Sequence, residues 1–297
     1  MRRSGGEAAL LLAALIWGTC FVAQSVGLDA VGPYTFQAVR CLLGAAVLLP
    51  LSLVRRKRSP QKPPRGALLK GGIACGLVLC FATNLQQLGL QYTTPAKSGF
   101  ITSMYLVLVP ILSLALGRSP KLRHWICVAL AAVGLYLLSV KDGFTLNPGD
   151  ALTLIAAFFF AAHIMAVDRF APGLDGAALC CVQFLVVGLL TCAPMLLLET
   201  PTLAGLHAAA LPIAYAGVMS CGLAYTLQIV GQQRCEPVVA TVLMSLESVF
   251  SLLGGMVILG QVPTHRELLG CTVVFGAVLL AQLPVERILG VFHEKTA

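Results

Sequence analysis

A carboxyl group lies in the middle of a long apolar run: Glu247 stands ten residues after Pro237 in PVVATVLMSLESVFSLLGGMVIL. At about 1.5 Å per helical residue this puts it about 15 Å along the run, halfway through a hydrocarbon core about 30 Å thick. A carboxyl at that depth is costly and marks either a pathway or a paired structural contact. Ionised, it could bind an amine or guanidinium group. Taking up and releasing a proton, it could instead serve as a coupling group. The structural alternative is an ion pair with Arg40, which falls inside another apolar run, where its long stem can also snorkel.

Other polar side chains recur at helical spacing. Asn84, Gln87 and Gln91 follow i, i+3, i+7 and share a helix face; Gln86 falls on a different face, and Gln228 sits in a later run. Asn84, Gln87 and Gln228 are candidate binding residues, although an amide can equally bridge two helices. Trp17, Cys20, Phe21 and Gln24 form a stripe from which Trp17 and Gln24 are candidates, with plain packing as the alternative. Lys97 and Tyr105 share a face, and Lys97, near a run's end, could bind substrate or snorkel to water. His163 is either a substrate or proton contact or a neutral, hydrogen-bonded ring.

These residues need membrane helices to position them. Of the 297 residues, 58% are hydrophobic and 11% charged, against about 25% charged in soluble domains, and the mean hydropathy is +0.89. That composition excludes a soluble enzyme or nucleic-acid-binding module. The 11 cysteines, Cys235 apart, lie inside apolar runs without CxxC or zinc-ligand spacing. They read as small buried hydrophobes, with no metal and no cofactor expected.

Ten apolar runs are long enough to cross a bilayer, near 8–27, 33–54, 67–90, 96–116, 122–140, 150–169, 176–198, 209–231, 237–259 and 267–284. Turn chemistry separates them, as at Gly32-Pro33, Asn147-Pro148-Gly149 and Pro172-Gly173. The first run follows Arg2 and Arg3 and reads as a retained helix rather than a signal peptide. The net charge of +8 is concentrated in loops. Arg55, Arg56, Lys57, Arg58, Lys62, Arg65 and Lys70 occupy one of them, joined on the same side by Arg2, Arg3, Arg118, Lys121, Arg123, Arg169, Arg234, Arg287 and Lys295. Lys97, Lys141 and Arg266 fall on the other side. The positive-inside rule therefore predicts both termini cytoplasmic.

An offset of 142 residues aligns the later parts of two halves, pairing Gln86 with Gln228, Gly89 with Gly231, Gln91 with Gln233, Pro95 with Pro237 and Ser103 with Ser245. It also pairs Tyr105 with Glu247. Five runs per half make the second copy enter the membrane from the opposite side. Inverted repeats of this kind are characteristic of secondary transporters, whose sites lie near the midplane.

LLLAALIWGTCFVAQ from Leu10, RCLLGAAVLLPL from Arg40, LVPI from Leu108 and SLES from Ser245 resemble the drug/metabolite transporter superfamily, EamA type. The chain departs from that family's frequent pattern at Ser248, where Pro is common, and at Gly117-Arg118 and Gly260-Gln261, where Gly-Glu is common. The resemblance implies an all-α integral membrane fold: ten transmembrane helices as two five-helix inverted-topology repeats, 1–143 and 144–297, around a central cavity. It also implies alternating access.

The expected function is secondary transport of a small polar metabolite, such as an amino acid or amine, across the cytoplasmic membrane. Transport would be proton-coupled or by exchange, and no Walker A sequence is present. The expected partners are a small-molecule substrate, a proton and the lipid bilayer, with no nucleic acid; the unit is a monomer or homodimer. The alternatives are a carrier of phosphate-bearing substrates such as nucleotide sugars, for which few cations lie at depth, and a polytopic membrane enzyme. The latter lacks a nucleophile/base spacing or metal set.

Overall fold

The computed structural model describes residues 3–58, 65–139, 147–260 and 262–282, and the regular structure among these is helical, without strands. Arg2, Lys62, Lys141, Arg287 and Lys295, used above for orientation, lie outside the described residues, as does Gln261.

Long helices form where apolar runs meet turn chemistry. They are α1 (Arg3–Leu28), α2 (Pro33–Arg58), α3 (Arg65–Gly89), α4 (Pro95–Thr102), α5 (Tyr105–Ala115), α6 (Leu122–Ser139), α7 (Pro148–Phe170) and α8 (Gly176–Leu198). After them come α9 (Leu203–Ala208), α10 (Ala210–Ala214), a π-helical segment (Tyr215–Ala224), α11 (Tyr225–Gln232), α12 (Pro237–Met244), α13 (Leu246–Leu259) and α14 (His265–Gln282). Proline opens α2, α4, α7 and α12, where its missing N–H costs nothing. Asn147 and Asp150 form a capping box at the start of α7, and Asp175 caps α8.

Eight helical segments among the described residues are long and apolar enough to cross a membrane. α6 and α14, of 18 residues each, span only about 27 Å. They pack along each other, and a Cβ on Gly134 of α6 would stand 2.8 Å from the Val274 nitrogen of α14.

Two expected runs are interrupted. The run at 96–116 divides into α4 and α5 at Ser103–Met104, and that at 237–259 divides at Ser245. Both pass through a tightened turn with i→i−3 bonding: Leu106 N donates to Ser103 O and Ser248 N to Ser245 O. The side chain of Ser245 also bonds back to Val242 O at 2.8 Å, a local competitor to regular helix. The backbone stays near helical dihedrals at both serines, so each run continues in direction.

The bundle carries apolar side chains outward and polar ones inward. Leu12, Leu49, Phe81, Ile155, Leu189 and Phe275 are exposed, whereas Gln37, Gln87, Gln183, Thr241 and Ser245 are fully buried. That arrangement suits a lipid surround, with polar groups as links between helices. α2 packs along α8, α3 along α7 and α1 along α13. The α1–α13 approach is close enough that a Cβ on Gly18 would sit 2.6 Å from Glu247 O. All eleven cysteines are free.

Candidate functional site

The helices line a cavity of about 40 Å³. α1 contributes Trp17, Phe21 and Gln24, and α2 contributes Arg40. The α3–α5 stretch adds Gln86, Thr102 and Tyr105, and α7 adds Phe160, His163 and Ile164. The rest of the lining is Ser220, Tyr225, Gln228, Met244 and Glu247. Ser220 lies in the π-helical segment, a geometry frequent at functional sites.

Glu247 lies just past the Ser245 break and is buried. Its Oε1 accepts from Tyr105 Oη at 2.9 Å and from Ser103 Oγ at 3.2 Å, both from the other broken run. Ser103 and Ser248 hydroxyls are 2.9 Å apart, and Ser248 Oγ donates to Gly99 O at 3.0 Å. Glu247 is therefore held by neutral hydroxyl donors. Arg40 is not within 4 Å of it or of any other carboxylate among the described residues.

Aromatic rings build one face of the cavity. Tyr225 meets Trp17 edge-on with centroids 4.8 Å apart, and its ring lies 6.0 Å from that of His163. His163 Nε2 is 3.1 Å from Gln183 Oε1, which fixes the imidazole from behind. Three buried polar atoms of cavity residues, Trp17 Nε1, Gln24 Oε1 and Gln228 Oε1, have no hydrogen-bond partner among the described residues. Buried polar atoms are normally satisfied, and the protein itself does not satisfy these three among the described residues.

Six of the residues singled out from sequence, Glu247, Trp17, Gln24, Tyr105, His163 and Gln228, thus meet at one cavity. Three do not line it. Asn84 Nδ2 donates to Thr191 Oγ1 at 2.9 Å and to Cys80 O at 2.8 Å, tying α3 to α8. Gln87 is fully buried elsewhere on α3. Lys97 Nζ lies 2.6 Å from Asp150 Oδ2, in a pair linking α4 to α7. Gln86, which the amide face had left aside, lines the cavity and donates to Thr102 Oγ1 at 2.8 Å. The signal for Gln86 was its pairing with Gln228, since both amides reach the cavity.

Apolar, outward-facing helices around a cavity lined by polar and aromatic side chains define an integral membrane protein. The chain belongs to the EamA-like transporter family, which matches it twice, over residues 4–140 and 147–283. It is 29% identical over 286 residues to an uncharacterized transporter of Archaeoglobus fulgidus, covering 96% of this chain and 88% of that protein. It is 23% identical to the uncharacterized inner membrane transporter YedA of Escherichia coli, over 93% of this chain and 90% of that one. A solved crystal structure at 22% identity shares the fold with a TM-score of 0.79, over 97% of this chain and 99% of the other. The chain is accordingly a membrane transporter acting on a small molecule in a lipid environment.

Proposed function

We propose that the protein is a secondary carrier of a small polar metabolite in the cytoplasmic membrane. It works by alternating access between two five-helix inverted repeats, 1–143 and 144–297, in a ten-helix bundle with both termini cytoplasmic. Substrate contacts come from the cavity, and Glu247 couples the cycle to a proton or an exchanged substrate. The unit is a monomer or homodimer.

One observation carries this reading: cavity-lining residues occur as repeat mates. Gln86 and Gln228, Thr102 and Met244, and Tyr105 and Glu247 all keep the 142-residue offset. The two broken runs are mates as well, since Ser103 and Ser245 mark their interruptions at that offset. Interrupted segments at corresponding positions of two halves are the strongest sequence-level pointer to a transport site. Helix packing supports the reading too. α2 lies along its mate α8 and α6 along α14, while α1 on α13 is matched by α7 on α4 and α5, a pattern in keeping with a pseudo-two-fold relation between the repeats. The double family match is in keeping with this division.

Uptake and counterflow in proteoliposomes test the proposal, using amino acids, polyamines, nucleosides and nucleotide sugars with and without a pH gradient. The expected result is saturable flux of one class by the wild type, with coupling to the gradient or to exchange lost in Glu247→Gln. Unchanged flux and pH dependence in folded Glu247→Gln protein would remove Glu247 from the mechanism.

A further inference from the structure

We infer that Arg40 is the receptor for a carboxylate on the transported molecule, so that the cargo of the cavity is a carboxylate-bearing compound. The inference rests on the carrier reading above and names the substrate class of that same cavity.

Arg40 is 4% exposed and lines the cavity. Among the described residues its guanidinium makes one hydrogen bond, from Nε to Gln37 Oε1 at 2.7 Å, and lies 5.8 Å from the centroid of the Phe36 ring. Gln37 is itself fixed, donating from Nε2 to Thr83 Oγ1 at 2.6 Å and to Cys41 Sγ at 3.3 Å. The Nε edge is thus anchored and oriented by protein, while no protein acceptor engages the two terminal nitrogens among the described residues. An uncompensated buried cation at membrane depth is costly. A carboxylate seated on the free fork would supply both the missing charge and two parallel acceptors.

A phosphoryl group fits this cavity less well. A dianion would meet one cation and face the Glu247 carboxyl across the same space. Lys97, the nearest cation in sequence to the cavity's α4–α5 wall, is bound to Asp150 outside the cavity lining. The remaining unfilled atoms suit the body of a small carboxylate compound. Trp17 Nε1 is a donor, while Gln24 Oε1 and Gln228 Oε1 are acceptors for an amine or hydroxyl.

The test compares matched compounds in proteoliposomes: free carboxylates, their primary amides and their decarboxylated amines. Wild-type protein should move the carboxylates and discriminate against both analogues. Arg40→Gln should lower carboxylate flux by about 10- to 100-fold, the scale of lost charge-assisted hydrogen bonds. Arg40→Lys, which keeps the charge but not the fork, should fall between them. If Arg40→Gln does not fold, the wild-type comparison still decides. Equal wild-type transport of carboxylate and amide, or faster transport of the amine, overturns the inference and leaves the carrier reading in place. No saturable flux of any compound by folded wild-type protein overturns the carrier reading, and the inference with it.

Discussion

The hydroxyl of Tyr105 donates a 2.9 Å hydrogen bond to Glu247, and these residues, 142 positions apart, occupy matching places beyond two matching helix breaks. The bond ties the α4–α5 run to the α12–α13 run beside the cavity. Ser103 reinforces it from the first break itself.

Tyr105→Phe removes the shorter of the two donors to Glu247 and leaves Ser103 in place. Because an ordinary hydrogen bond contributes about 0.5–1.5 kcal/mol, initial transport rates should fall about 2- to 10-fold. Detergent-solubilised protein should still elute as a folded species in size-exclusion chromatography. Wild-type rates in Tyr105→Phe would show that this bond is not used in the cycle.

Lys97→Met strands the fully buried Asp150 carboxylate, leaving it with Thr93 Oγ1 and the Asn147 backbone N–H. Since Lys97 is partly exposed, the expected loss of stability is about 2 kcal/mol, read as a lowered unfolding temperature in detergent. Adding Asp150→Asn should recover part of it. A double variant less stable than the sum of its parts would contradict the pairing.

Gly18→Val should be severe, because its Cβ would meet Phe250 Cβ at 2.5 Å and Glu247 O at 2.6 Å. Forcing α1 from α13 should cost about 1–3 kcal/mol and reduce transport by displacing the backbone of Glu247. Gly66→Ala, where a Cβ meets nothing within 4 Å, is the matched control and should behave as wild type in both assays.

Asn84→Ala and Gln228→Ala should separate structure from binding. Asn84 links α3 to α8 outside the cavity, so its loss should lower stability by about 1 kcal/mol with KM unchanged. Gln228 presents an unfilled acceptor at the cavity, so its loss should raise KM with little effect on unfolding. The reverse pattern would reassign both residues.

Helix ends were legible wherever turn chemistry bounded an apolar run: Gly32-Pro33 starts α2 and Pro172-Gly173 precedes α8. The breaks at Ser103 and Ser245 were not. Neither holds Pro or Gly, and one turn of tighter hydrogen bonding leaves hydropathy unaltered. The π-helical segment was hidden for the same reason. In the cavity, depth and the repeat offset singled out Glu247 and Tyr105. Helical spacing grouped Asn84 with Gln87, but which face of α3 meets the cavity depends on how α7 and α8 pack against it. Lys97 was taken by Asp150, a carboxylate 53 residues away whose side chain also accepts from the Asn147 backbone N–H in the capping box of α7.

At its beginning α7 is tied to Lys97 through Asp150, and near its end it is tied to Arg118 through Asp168. Both cations flank the same α4–α5 run. Mechanically this is a beam fixed at two supports: α7 can pivot with that run, but sliding along it would rupture both joints at once.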